Sequence, residues 1–168
     1  DFGEKGKVKV SMIKYLQGVL DAFPEDLPTK HAATPASDHL FTVRDKNDPE
    51  YSPLPEKQAR QFHHTVAQLL FMSTRARRDI QTAVGFLTTR VKAPDEDDWA
   101  KLRRCLSYLQ GTKYMKLTLE ATDLKVIEWW VDASYTTHSH FKGHSGGMMS
   151  LGRGATTSSC NKQKTNVK

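Results

Sequence analysis

Residues 126–135 read VIEWWVDASY, an apolar and aromatic run that delivers one carboxylate, Asp132, into a small-residue turn. β-Branched and aromatic side chains favour a pleated backbone, so VIEWWV is expected as a buried or half-buried strand. An acid near the end of such a strand is costly to bury without a partner, and a metal ion is one such partner. The other role open to Asp132 is to cap the turn through Ser134 or a nearby N–H.

On either side of this run the period of the sequence differs. After Gly111, Leu117 and Leu119 alternate around Thr118, and further strands are expected over 145–151 and 155–159, with glycine-rich turns between them. Four short strands of this kind imply a mostly antiparallel sheet. Before Gly111 the spacing is helical. Met12, Ile13, Leu16, Val19, Leu20 and Phe23 predict a helix over 11–23, with Ser11 as its N-cap and Pro24 as its stop. Phe62, Val66, Leu69, Leu70 and Met72 predict a second, from Pro55 or Glu56 to Thr74. Asp79 is placed to cap a third with Ile80, Ala83, Val84 and Leu87 buried, and the acids of 95–98 suit the start of a fourth that ends at Gly111. Residues 25–56, rich in Pro, Asp, Ser and Asn, read as an extended connector in which only Leu40, Phe41 and Val43 suggest packing. Residues 1–10 could supply an edge strand or hairpin arm. The plan is α+β, helices first and sheet second. Its expected parts are a helix and Pro-rich connector over 1–60, a helical region over 61–111 and a sheet over 112–168.

The chain of 168 residues carries a net charge of +6 with a pI near 9.3, which makes nucleic acid the leading class of partner. Hydrophobic residues make up 38 % and mean hydropathy is −0.60, so the expected core is modest and no segment suits a membrane span. Cys105 and Cys160 lie far apart without metal spacing and read as reduced thiols of an intracellular protein, in the cytoplasm or nucleus. The first residue is Asp1 and the last residues are NKQKTNVK; both ends look cut from something longer.

Arg75, Arg77 and Arg78, with Arg90 and Lys92 beyond the next helix, form a basic cluster, and Lys101, Arg103 and Arg104 follow on the fourth helix. Guanidinium forks suit phosphate oxygens, so a grip on a nucleic-acid backbone stands beside a merely solvated face. His138, His140 and His144 invite a metal, but they lie in a Ser/Gly-rich stretch with no cysteine at finger spacing and are expected in a solvent-exposed loop. His63 and His64 point to different helix faces. There is no GxSxG elbow and no phosphate-cradling loop, because 143–147 lacks the trailing Lys-Ser/Thr.

Five ordered blocks carry a more specific signal. FHHTVAQLLFMSTRARRDIQTAVGFLTTRV, PDEDDWAKLRRCLSYLQGT, WWVDASY, GHSGGMMSLG and KQKTNVK together resemble the Pol polyprotein of copia-type LTR retrotransposons, from about Lys7 to the end of the chain. The resemblance implies the thumb and connection of a reverse transcriptase running into the N-terminal strands of an RNase H domain. It implies that Asp132 is the first carboxylate of the RNase H site and a ligand of Mg2+, since two-metal phosphodiester hydrolysis needs several converging carboxylates. It also implies contacts from Arg75, Arg77, Arg78, Arg90, Lys92, Arg103, Arg104, Lys162 and Lys164 to an RNA/DNA hybrid or template–primer, with the rest of Pol as a further partner.

The chain also departs from the family's pattern. The sequence stops at Lys168, before the acidic helix that supplies the family's second carboxylate, and the paired-Asp hairpin of the polymerase is absent. One carboxylate cannot hold two metals, so the chain alone is expected to bind nucleic acid without catalysis. Arg78 stands where the family usually has Pro. The rival readings are a non-catalytic nucleic-acid-binding relic and an interaction scaffold. The sheet region is expected to be less stable than the helical part.

Overall fold

The computed structural model describes residues 6–138 and 141–165. Along the chain come β1 (Lys7–Val10), α1 (Ile13–Asp21), α2 (Glu56–Ser73), a 3-10 turn (Arg78–Ile80), α3 (Gln81–Thr88) and α4 (Glu96–Gly111). Then follow β2 (Leu117–Ala121), β3 (Glu128–His138), β4 (Lys142–Ser150), β5 (Gly152–Arg153) and β6 (Ala155–Lys162). The class is α+β.

Apolar stripes at helical spacing assemble one core. Leu16 and Val19 of α1, Phe62, Val66, Leu69 and Met72 of α2, Val84 and Leu87 of α3, and Leu102, Leu106 and Leu109 of α4 are all buried in it. Fully burying one such side chain is worth about 1.5–3 kcal/mol, so this cluster dominates stability. The connector contributes more than expected: Leu40 and Leu54 are buried, and Leu27, Ala32, Ala36, Phe41 and Val43 pack against the cluster. An isolated bridge between Pro53 and Asp95 ties its end to the start of α4.

The helix ends bear out some capping expectations and correct others. α4 begins with a full capping box: Asp95 accepts from the Asp98 N–H, and the Asp98 carboxylate accepts from the Asp95 N–H. Met12, not Ser11, is the N-cap of α1, without a side-chain hydrogen bond. Asp79 lies in the 3-10 turn before α3 and accepts instead from Arg77 and the Tyr108 hydroxyl. α4 ends at Gly111 as expected, with Thr112 as its C-cap, and a Cβ on Gly111 would lie 2.7 Å from His31 Cβ.

Instead of a single sheet there are two antiparallel three-stranded sheets, ordered β1-β2-β5 and β3-β4-β6. The chain crosses between them at Gly152 and Gly154, whose φ of +144° and +80° lie in the region that favours glycine. A Cβ on Gly154 would meet the Thr118 carbonyl oxygen at 2.2 Å. The second sheet leans on α3 through β6: Gln81 Nε2 donates to the Ser158 carbonyl, and Arg78 donates to Ser158 Oγ and the Thr156 carbonyl.

The aromatic strand is a correction. β3 is an edge strand, and α3 packs against β6 rather than against it. Trp129 is 62 % exposed, Trp130, Val131 and Tyr135 are exposed too, and Val126 and Ile127 precede the strand in solvent. Nor does the strand end in a turn at Asp132; it continues to His138, with a register shift between Ser134 and His138. No described helix is long and apolar enough to cross a membrane.

Candidate nucleic-acid interface and carboxylate cleft

Strand register decides what surrounds Asp132. It pairs with Gly146 of β4, and Gly146 pairs with Cys160 of β6. Side chains of directly paired residues share a face, so Asp132 and Cys160 flank a glycine that contributes none. The gap opens as a cleft of about 400 Å³, walled by Trp130 and Met148 on the sheet and by Arg78, Gln81 and Thr82 across from it. The Asp132 carboxylate is exposed and accepts from the N–H of its neighbour Ala133 at 2.8 Å.

This donor set does not match the metal that the resemblance implies. Asp132 is the only carboxylate lining the cleft among the described residues, and none of their His, Cys, Asp and Glu side chains form a group of three able to hold a metal ion. A hard divalent cation needs several oxygen ligands, so the residues present do not fit a two-metal centre.

The basic residues fall into different environments. Arg77 is a correction to the exposed cluster: it is 3 % exposed, and its guanidinium forks onto Asp79 and donates to the carbonyl and hydroxyl of Thr112. Its donors face inward, away from any phosphate. Arg78 is half-buried between α3 and β6. Arg90 is held by Asp98 at 2.8 Å and Asp95 at 3.6 Å. Burial, against the pull of Arg90, raises the Asp98 carboxyl to about 6, with Asp95 adding to the rise. Arg103 pairs with Glu25 and Arg104 donates to Thr34, so both face the connector. Lys101 is buried against Asp97 and the Thr42 carbonyl. Arg75, over the Phe71 ring, and Lys92 and Lys164 are exposed.

One cationic group forms only in three dimensions. Lys162 faces the charges of Lys142 and Arg90; burial, and then those two neighbours, hold its ammonium below the ordinary value. Lys142 was invisible as a site residue in sequence, where twenty residues separate it from Lys162. The hairpin register brings them together.

The histidines are the largest correction. His138 and His144 are 5 % and 6 % exposed, not in a solvent-exposed loop, and His140 lies outside the described residues. The bulge before His138 turns its ring inward, where it meets Phe41 edge-on and stacks near Phe86. His63 and His64 are exposed on α2. Cys160, without finger spacing to any histidine in sequence, lies beside His144 across the strand ladder.

Comparison with protein families, curated proteins and solved structures gives no match.

Proposed function

We propose that the chain is a segment of a copia-type retrotransposon Pol polyprotein that grips the phosphate backbone of an RNA/DNA hybrid or template–primer without cleaving it. The observation that carries this is Lys162, two residues along β6 from the cleft residue Cys160 and facing the charge of Lys142: an anionic strand relieves the repulsion between the two lysines. The exposed ring of Trp130, on the cleft face of β3, offers a surface on which a base stacks, a combination suited to sequence-tolerant binding. Exposed Arg75, Lys92 and Lys164 add to the field. RNA-directed DNA synthesis and Mg2+-dependent hydrolysis of the RNA strand belong, on this reading, to the whole polyprotein, the rest of which supplies the missing carboxylates.

Titrating a labelled RNA/DNA hybrid across a salt series tests the reading. The logarithm of affinity should fall linearly with the logarithm of salt. The Lys142→Ala/Lys162→Ala double variant should flatten the slope by roughly two, at about 0.9 for each phosphate no longer neutralised. Absence of binding at low salt would leave the scaffold reading, and an unchanged slope would remove these lysines from the interface.

A further inference from the structure

Three side chains that the backbone-binding reading does not use form a continuous hydrogen-bonded chain. His138 Nε2 lies 2.8 Å from His144 Nδ1, and His144 Nε2 lies 2.7 Å from Cys160 Sγ. The Thr82 hydroxyl oxygen, on α3, is 3.4 Å from the same sulfur. Both rings are buried, so their positions are set by packing: Phe41 lies 5.0 Å from His138 and 5.3 Å from His144, centroid to centroid. The sulfur end is different. Cys160 is only partly buried and lines the open cleft shared with Asp132.

The protons in this chain have a preferred order. Burial lowers the pKa of both imidazoles, His138 to about 4, so both rings are neutral at neutral pH. A neutral imidazole has one N–H donor and one acceptor nitrogen. Each neutral imidazole keeps an acceptor nitrogen, whereas a neutral thiol sulfur is only a weak acceptor and carries an S–H to donate. The S–H therefore donates to His144 Nε2, and His144 Nδ1–H donates to His138 Nε2. A nucleophile, a base and a third group that orients the base are thus in line, the arrangement that activates a thiol. His144 uses its two nitrogens on opposite sides of one ring, so the three groups do not converge on a point where a metal could sit.

We propose that Cys160 is a peroxide-reactive thiol, with His144 as its general base and His138 as the positioning residue that fixes the ring of His144. Hydroperoxides use both functions of the base and, unlike acyl substrates, need no oxyanion hole beside the nucleophile. Sulfur attacks the distal peroxide oxygen as its proton passes to His144 Nε2; an S–O bond forms and the O–O bond breaks. His144 then returns that proton to the departing oxygen. Thiol and hydroperoxide become sulfenic acid and alcohol, or water when the oxidant is hydrogen peroxide. Sulfur loses two electrons and the peroxide gains them. Thr82 sits where its hydroxyl can donate to the thiolate during the transfer. The inference stands on these residues alone and does not depend on nucleic-acid binding.

The experiment is to expose the whole chain to hydrogen peroxide, trap sulfenic acid with dimedone and locate the adduct by mass spectrometry. Cys105, fully buried with its thiol pushed up to about 12, is the internal control and should stay unlabelled. Cys160 should react at least about tenfold faster than glutathione under the same conditions, and His144→Phe should remove that advantage. His138→Gln, which keeps an acceptor for His144 Nδ1–H, should retain most of the rate, whereas His138→Phe should not. A wild-type rate no higher than that of glutathione overturns the proposal whether or not any variant folds. So does a folded His144→Phe protein that reacts as fast as the wild type.

Discussion

Arg78 donates through one guanidinium nitrogen to Ser158 Oγ at 2.7 Å and through another to the Thr156 carbonyl at 2.9 Å, bracing the turn before α3 against β6. Read from sequence it is a member of a phosphate-binding cluster, and it stands where the resembled family usually has Pro. A Pro would carry no such fork. In this chain the residue is a strut between the helical core and the second sheet.

Arg78→Ala should therefore act on the sheet first. Losing two hydrogen bonds from a charged group costs about 1–3 kcal/mol. Hydrogen exchange should quicken in β4 and β6 while α2 and α4 keep their protection. Uniform loss of protection across the chain would show that the strut is not local.

Arg77→Ala should cost more than its neighbours. Removing it empties the space of a buried side chain, leaves the Thr112 carbonyl without its donor and leaves Asp79 facing Tyr108 without its cation, a loss of about 2–3 kcal/mol. Arg75→Ala, at an exposed position, should stay within about 0.5 kcal/mol. Urea denaturation of the two variants decides: equal midpoints would contradict the burial of Arg77.

Asp132→Asn should leave stability within about 0.5 kcal/mol, because the carboxylate is exposed and its acceptor role survives in the amide. With one acid in the cleft, the wild-type chain should release no RNA fragments from a hybrid in Mg2+, and the variant should bind the hybrid at least as tightly. Mg2+-dependent cleavage that Asp132→Asn abolishes would show that a metal site is completed by residues outside the cleft described.

Acid should destabilise the fold through His138. Its folded pKa of about 4 lies below the ordinary 6.5, set first by burial and then by the His144 and Lys162 charges. Between those two values the folded state binds fewer protons than the unfolded one, so this contribution is full above about pH 6.5 and is lost as pH falls through about 4. Asp98 works in the opposite direction: with its folded pKa raised from 3.8 to about 6, its contribution is full below 3.8 and lost as pH rises through about 6. Melting curves of the wild type mix the two. The difference between wild type and His138→Gln isolates the histidine, and it should shrink as pH falls from about 6.5 to about 4. A constant difference would mean that His138 titrates normally.

The sequence by itself determined the elements whose signals are local. A 3.6-residue apolar period names the buried faces of α2 and α4, the acids at 95–98 name a helix start, and alternation with glycine-rich turns names the antiparallel strands. These are short-range facts of backbone geometry, and the α+β class follows from them. What only the tertiary structure decided is the environment of each side chain. VIEWWV has strand character wherever it lies, but an edge position without a covering helix leaves its tryptophans in solvent. Three neighbouring arginines look alike in sequence, yet one is buried, one is a strut and one is exposed, because a turn points consecutive side chains in different directions. His144 and Cys160 are sixteen residues apart, and Lys142 and Lys162 twenty; only the register of β3, β4 and β6 makes neighbours of them. Register is set by long-range pairing, so no window of sequence contains it.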